Sequence, residues 1–262
     1  MNIRTDNLTF SRLTIANAKN NSDFLEMHAH DFYELIFFED GDADYVVEGR
    51  RYTLKKNDLI FTRPLTYHYI EMRSNADYKR YLIGFKDSVI EKQLLQNIPS
   101  DLEVLHCSEH SIITQNFVRL FYYANNLSSE QFLDIFPSII KETLYNIYLS
   151  KDDIVPIPAE ISPTLSNVLS YINENLFSIN DVKEIADALF LSAPYVFKLF
   201  KGQLKIPPKK YINLKRLHHA KQMLASGRKP IEIYAECGFN SYVGFYKQFV
   251  KQFGYSPSKE NL

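Results

Sequence analysis

The chain opens with short apolar runs separated by polar turns. Tyr33–Phe38, Asp44–Val47, Arg51–Leu54 and Asp58–Thr62 are rich in aromatic and β-branched side chains, which suit a pleated, half-buried strand. Glu39–Asp42, Glu48–Arg50, Lys56–Asp58 and Pro64 supply the turns between them. Regularly spaced short strands of this kind predict an all-β N-terminal domain, a small antiparallel barrel or jelly roll, up to about residue 105. From Ser111 the period changes. Ile112, Ile113, Phe117, Leu120 and Phe121 recur at helical steps. After the Asn125–Asn126 break, Phe132, Ile135, Phe136, Ile139, Ile140, Leu144 and Ile147 do the same. Two amphipathic helices behind a barrel either close its base or offer an apolar seam to a second subunit. Lys151–Ala159 has no periodicity and two prolines, the pattern of a linker. The predicted division is a first domain over 1–150, a linker over 151–162 and a second domain over 163–262.

The second domain reads as all-helical. Leu165, Val168, Leu169, Ile172 and Leu176 form one stripe, and Asn180 is the expected N-cap of the next helix. Ser192–Lys201 then anticipates a later stretch: Ser192, Val196, Lys198 and Phe200 match Ser241, Phe245, Lys247 and Phe249. In the second copy Ile231, Ile233 and Cys237 mark a short helix, Gly238 turns the chain, and Phe245, Phe249 and Phe253 align on one buried face. Tyr242, Val243, Tyr246 and Lys247 lie off that face. Each copy is a helix-turn-helix with a cation on its open side. Pro207–Ser226 predicts one long helix between them, ended by Gly227. Its twenty residues would span roughly 30 Å, close to the ~34 Å turn of B-DNA.

Charge sharpens the division. Residues 1–160 hold 16 Lys+Arg and 24 Asp+Glu, whereas 161–262 hold 14 and 7, so a nearly neutral chain has an acidic half and a basic half. Only the basic half suits a polyanion. The two cysteines, Cys107 and Cys237, fall in different predicted domains and read as reduced thiols. Met1–Ser11 lacks an apolar signal core, and no apolar run reaches the roughly 20 residues of a membrane span. We therefore expect a cytoplasmic protein with no membrane partner.

Candidate chemistry sits in the first domain. His28-Ala-His30-Asp-Phe-Tyr-Glu34, then Gly41, then Pro64-Leu-Thr-Tyr-His68 resembles the two motifs of the cupin barrel over roughly residues 25–95. The resemblance implies that His28, His30, Glu34 and His68 share one barrel mouth. There they either coordinate a divalent ion such as Fe, Mn, Ni or Zn, hydrogen-bond a polar effector, or serve structure alone. Arg63 and Arg80, near the same mouth, suit either an anionic group or plain solvent.

Gly238-Phe239, Ser241, Phe245, Lys247, Phe249, Lys251, Gly254 and Ser256-Pro257 stand at the spacing of the AraC family of bacterial transcription regulators, which this chain resembles. Tyr234 departs from the pattern, where the family usually has a small residue. The resemblance implies a sequence-specific, double-stranded-DNA-binding regulator, an activator, controlled by a small polar effector such as a sugar. It also implies a homodimer through the helices that follow the barrel. Carried over position by position, base-facing candidates are Pro194, Phe197 and Lys198 in the first unit, and Tyr242, Val243 and Lys247 in the second. Lys201, Lys209, Lys210, Lys215, Arg216 and Lys251 are candidates for phosphate contact or for ordinary solvated surface. No cofactor is called for, and no nucleophile with a base partner is evident, which argues against an enzyme. A metal-dependent cupin enzyme that also binds DNA, and a constitutive DNA-binding protein whose barrel only dimerises, are the other readings.

Overall fold

Alternation along β3 (Tyr33–Asp40) sets the layering of the first half: Leu35 and Phe37 enter one buried cluster, Ile36 and Phe38 another. Successive side chains of a strand point to opposite faces, so one strand serves two cores. The computed structural model describes residues 2–20, 27–149 and 162–259. By internal contacts the chain divides into two units, Met1–Glu160 and Ile161–Leu262.

In the first unit, β1 (Asn2–Arg4), β2 (Leu8–Ile15), β3, β6 (Asp58–Thr62), β8 (Tyr78–Phe85) and β9 (Val104–His106) form a six-stranded sheet in the order β1-β2-β8-β3-β6-β9. A second sheet runs β5 (Arg50–Thr53), β4 (Ala43–Val47), β7 (His68–Met72). All the named strand pairs are antiparallel. Ile36, Phe38, Ile60 and Tyr78 on the inner face of the large sheet meet Tyr45, Val47, Tyr52 and Ile70 of the small one. Its outer face carries Phe10, Phe37, Phe61, Tyr81 and Phe85. These pack on α2 (Ile112–Asn126) and α3 (Ser129–Leu149) through Phe117, Leu120, Phe132, Phe136 and Ile140. The two helices therefore cover a sheet face. Ile112, expected on the inner stripe, is exposed instead. A short helix the strand pattern did not predict, α1 (Lys92–Gln96), buries Leu94 and Leu95 in the same cluster. Gly41 follows β3 at φ 138°, a backbone conformation that favours glycine, and a Cβ there would lie 3.2 Å from the Asp77 carbonyl.

The second unit contains α4 (Pro163–Glu174), α5 (Val182–Ala188), α6 (Ala193–Leu199), α7 (Pro208–Ala225), α8 (Pro230–Ile233) and α9 (Tyr242–Phe253). Of the expected linker, 151–161 lies outside the described residues, while Ser162 caps α4 by accepting from Leu165 N. The N-cap of α5 is Asp181, one residue later than expected: its carboxylate accepts from Glu184 N at 3.0 Å. Asn180 instead donates its backbone N–H back to Glu184 at 2.9 Å, so the two residues share the work of one cap. The linking helix α7 has 18 residues, hence about 27 Å. Gly227 follows it at φ 92°.

The two turns differ. In the second, Gly238 takes the left-handed conformation at φ 77°; in the first, Phe190 does so at φ 56° with its ring 97% exposed. A non-glycine residue there costs roughly 1–2 kcal/mol, and this ring regains nothing by burial. Phe190→Gly is therefore expected to stabilise the second unit by about 1 kcal/mol, raising its melting midpoint by about 4–8 °C. An unchanged or lower midpoint would mean that the backbone strain is negligible.

Candidate functional site: the barrel mouth and the two helix-turn-helix units

His28 and His68 are joined by an isolated antiparallel bridge, each backbone N–H donating to the other's carbonyl at 3.1 and 3.0 Å. That bridge brings the start of the first motif onto the second. One ring nitrogen from each of His28, His30 and His68 lies within 4.8 Å of the others. Glu34, on the inner face of β3 and 4% exposed, places one carboxylate oxygen 3.7 Å from His30 Nε2 and the other 3.4 Å from His68 Nε2. The four expected residues are thus together.

The electrostatics of the cluster follow from its tautomers. His30 Nδ1 is 2.9 Å from the Phe32 carbonyl, and His68 Nδ1 is 2.8 Å from that of Thr66. A carbonyl only accepts, so each Nδ1 carries hydrogen, and each Nε2 is left to meet Glu34 either as a lone pair on a neutral ring or as an N–H on a protonated one. Both Nε2 atoms are buried without a well-directed hydrogen bond, and both face Glu34. Burial alone would raise the Glu34 carboxyl; the two imidazoles outweigh it and hold the group well below the usual carboxylate range. Two imidazole Nε2 atoms and an ionised carboxylate therefore converge. Such a set is completed by protons on the rings, by hydroxyl donors of a ligand, or by a divalent cation, and three imidazoles with one carboxylate fit the last.

On the inner face of the large sheet, Tyr78 and Arg80 share one face of β8 and interact with each other, and the Tyr78 hydroxyl and Arg80 Nε are buried without a well-directed hydrogen bond. Burial pushes the Tyr78 hydroxyl up to about 12, with Arg80 opposing and Glu34 adding to the rise. Tyr78 was missed in the sequence because it reads as an ordinary strand aromatic. Arg63 is a correction. Its guanidinium donates to the Leu102 carbonyl at 3.0 Å and to that of Pro99, and it lies 4.9 Å over the Phe61 ring. The chain's own carbonyls occupy the fork that an anion would need.

In the helical unit, Ser192 caps α6 by accepting from Tyr195 N, and Ser241 caps α9 by accepting from Gly244 N at 3.2 Å. Val196 and Leu199 of α6 are buried, as are Phe245 and Phe249 of α9. The opposite faces are open: Pro194, Phe197 (46%) and Lys198 on α6, Val243 (62%), Tyr246 and Lys247 on α9. Tyr242 is half-buried between Tyr234 and Tyr246, with ring centroids at 5.9 and 6.2 Å. The bulky Tyr234 thus braces Tyr242. Ile231, expected inside, is exposed, while Ile233 and Cys237 are buried.

Lys201, Lys209, Lys210 and Lys251 are exposed. Lys215 reaches back to Asn173 Oδ1 at 3.0 Å. Arg216 does not fit a phosphate contact. It is 7% exposed, and its three nitrogens donate to the carbonyls of Leu176, Gly238 and Ile179 at 2.8, 2.8 and 2.6 Å.

A polar-mouthed barrel and two capped helix-turn-helix units in one chain define a DNA-binding regulator with a ligand-binding domain. Residues 11–134 match the family model of the AraC-like ligand binding domain, and residues 185–260 match that of a helix-turn-helix domain. The chain belongs to the AraC family of transcriptional regulators. It is 25% identical over 240 residues to the probable transcriptional regulator LumQ of Photobacterium leiognathi, covering 88% of this chain and 90% of that protein. Against the HTH-type transcriptional activator RhaS of Escherichia coli (strain K12 / DH10B) the identity is 25% over 245 residues, covering 90% and 87%. The crystal structure of ToxT from Vibrio cholerae O395 aligns over 97% of both chains at 13% identity with a TM-score of 0.39.

Because one hydroxyl satisfies an otherwise unpaired N–H at the start of α9, Ser241→Ala should cost about 1 kcal/mol of stability, and Ser241→Asp should restore most of it. Urea unfolding of the two variants checks this; an alanine variant as stable as wild type would remove the cap from the account.

Proposed function

We propose that this regulator reads two successive major-groove segments of double-stranded DNA with α6 and α9, under the control of a small polar molecule bound at the barrel mouth. The observation that carries the DNA reading is the repetition: two helices, each Ser-capped, each with its inner face buried and its outer face open. Base-edge contacts fall to Pro194, Phe197 and Lys198, and to Tyr242, Val243 and Lys247, a set that favours thymine methyl groups and DNA shape over amide readout. Lys201, Lys209, Lys210 and Lys251 supply phosphate contacts. The reading extends to a cytoplasmic activator, in line with the name of RhaS. It acts as a homodimer through the exposed outer faces of α2 and α3, where Val118 and Tyr122 stand one turn apart, as do Tyr145 and Leu149.

For the effector, the buried Nε2 atoms of His30 and His68, as lone pairs on neutral rings, accept from hydroxyl donors, and Arg80 with Tyr78 adds polar partners inside the barrel. A sugar or similar polyol has the right chemistry. The second reading, a divalent metal on His28, His30, Glu34 and His68, is favoured by the same converging lone pairs. It would make the sensor metal-dependent without making the chain an enzyme.

Lys247→Ala is expected to weaken binding to a preferred duplex by about 1–3 kcal/mol, with little effect on random DNA. Lys209→Ala should weaken both alike and lower the salt slope by about 1. Unchanged affinity of Lys247→Ala at matched salt would take that residue out of the site. Metal content of untagged protein prepared without chelators separates the two sensor readings. Under the effector reading the protein is metal-free and a polyol raises its melting temperature, an effect that His28→Ala abolishes while DNA binding persists. A stoichiometric metal with no polyol response would replace that reading with the second.

A further inference from the structure

Between the two helix-turn-helix units lies a cleft of about 570 Å³ with α7 as its floor. Phe197 of α6 lines one wall, and Gly244 and Gln248 of α9 line the other; Lys209, Asn213 and Arg216 rise from the floor. Residues three and four apart share a helix face, so these three floor side chains stand in a row. Two of them tie the walls down.

The Arg216 guanidinium joins three backbone segments that are far apart in sequence. Nε and Nη2 donate to Leu176 and Ile179, which lead into α5 and hence the first unit. Nη1 donates to Gly238, the turn of the second. A guanidinium is planar and presents its donors in a fixed fork, so the three carbonyls are held at set mutual positions. The turn of the second unit also sits hard against this point: a Cβ on Gly238 would lie 2.7 Å from the Phe177 carbonyl and 2.8 Å from Arg216 Cζ. A second tie runs from Asn213 Nδ2 on α7 to Gln248 Oε1 on α9 at 2.8 Å.

We propose that Arg216, assisted by the Asn213–Gln248 bridge, is a positioning residue that sets the separation of the two recognition helices and so the spacing between the two DNA segments the unit accepts. This rests on the DNA-binding reading above. One base pair shifts a groove position by about 3.4 Å and turns it by about 34°. Play of a few ångströms between α6 and α9 would therefore blur the choice between neighbouring spacings. Lysine cannot replace the arginine here, because an ammonium keeps the charge but is too compact to span three carbonyls.

The test uses the full chain and a duplex selected by the wild-type protein from random-sequence DNA. Two derivatives have one base pair inserted or removed between the contacted segments, and a third has one segment scrambled. Dissociation constants are compared at one salt concentration. Wild type should lose about tenfold or more for either change of spacing. Arg216→Lys, shown to be folded by circular dichroism, should lose about threefold or less, yet bind the single-segment duplex within about twofold of wild type. Wild-type discrimination in Arg216→Lys, or an equal loss on single- and double-segment duplexes, overturns the proposal. Should Arg216→Lys not fold, Gln248→Ala, which removes only the second tie, must weaken the spacing preference; an unchanged preference overturns the proposal equally. Failure of wild type to select any two-segment duplex would remove the DNA reading itself and the spacing role with it.

Discussion

A buried guanidinium has to be surrounded by acceptors, and that requirement organises the helical unit. Taking Arg216 out of water is affordable only because Leu176, Ile179 and Gly238 each present a carbonyl to it. Any rearrangement that withdraws one of them leaves a charged donor unpaired in the interior, at a cost of roughly 1–3 kcal/mol or more. The turn of the second helix-turn-helix, the entry to the first and the helix between them are thereby made one body. The recognition helices need little mutual contact once their supports are joined in this way.

The same logic of satisfied and unsatisfied polar groups distinguishes the barrel. Its inner face is built from large apolar and aromatic side chains, and polarity is concentrated where the His28–His68 bridge brings two segments together. There the backbone carbonyls of Phe32 and Thr66 fix the imidazole tautomers. Their effect is to aim both Nε2 atoms at Glu34, whose carboxyl the two imidazoles hold well below the usual range. Such a cluster gains by meeting a donor or a cation, which is the property a sensor requires: a ligand must favour one state over another if it is to shift anything.

Much of this was legible in the sequence because it is periodic or local. Alternation gave the strands near Tyr33–Phe38 and Asp58–Thr62, and the four-residue step of Phe245 and Phe249 gave the buried face of α9. Ser192 and Ser241 could be read as caps because a cap depends on residues only three positions away. What escaped depends on distant partners. Arg216 sits in a run of basic residues on α7 and reads as a phosphate contact; only the approach of Gly238 and Ile179 in space turns it inward. Arg63 was misread for the same reason, its acceptors lying in the 99–102 segment. Asn180 and Asp181 are both good capping residues, and local propensity does not choose between them.

In the proposed function one chain places two recognition helices on one face of a duplex. Methylation protection of guanine N7 by the full chain on a selected duplex tests it most directly, since N7 lies in the major groove. Two protected segments are expected, with centres about 10 base pairs apart on the same face. A single protected segment, or protection that does not follow the helical repeat, would contradict it.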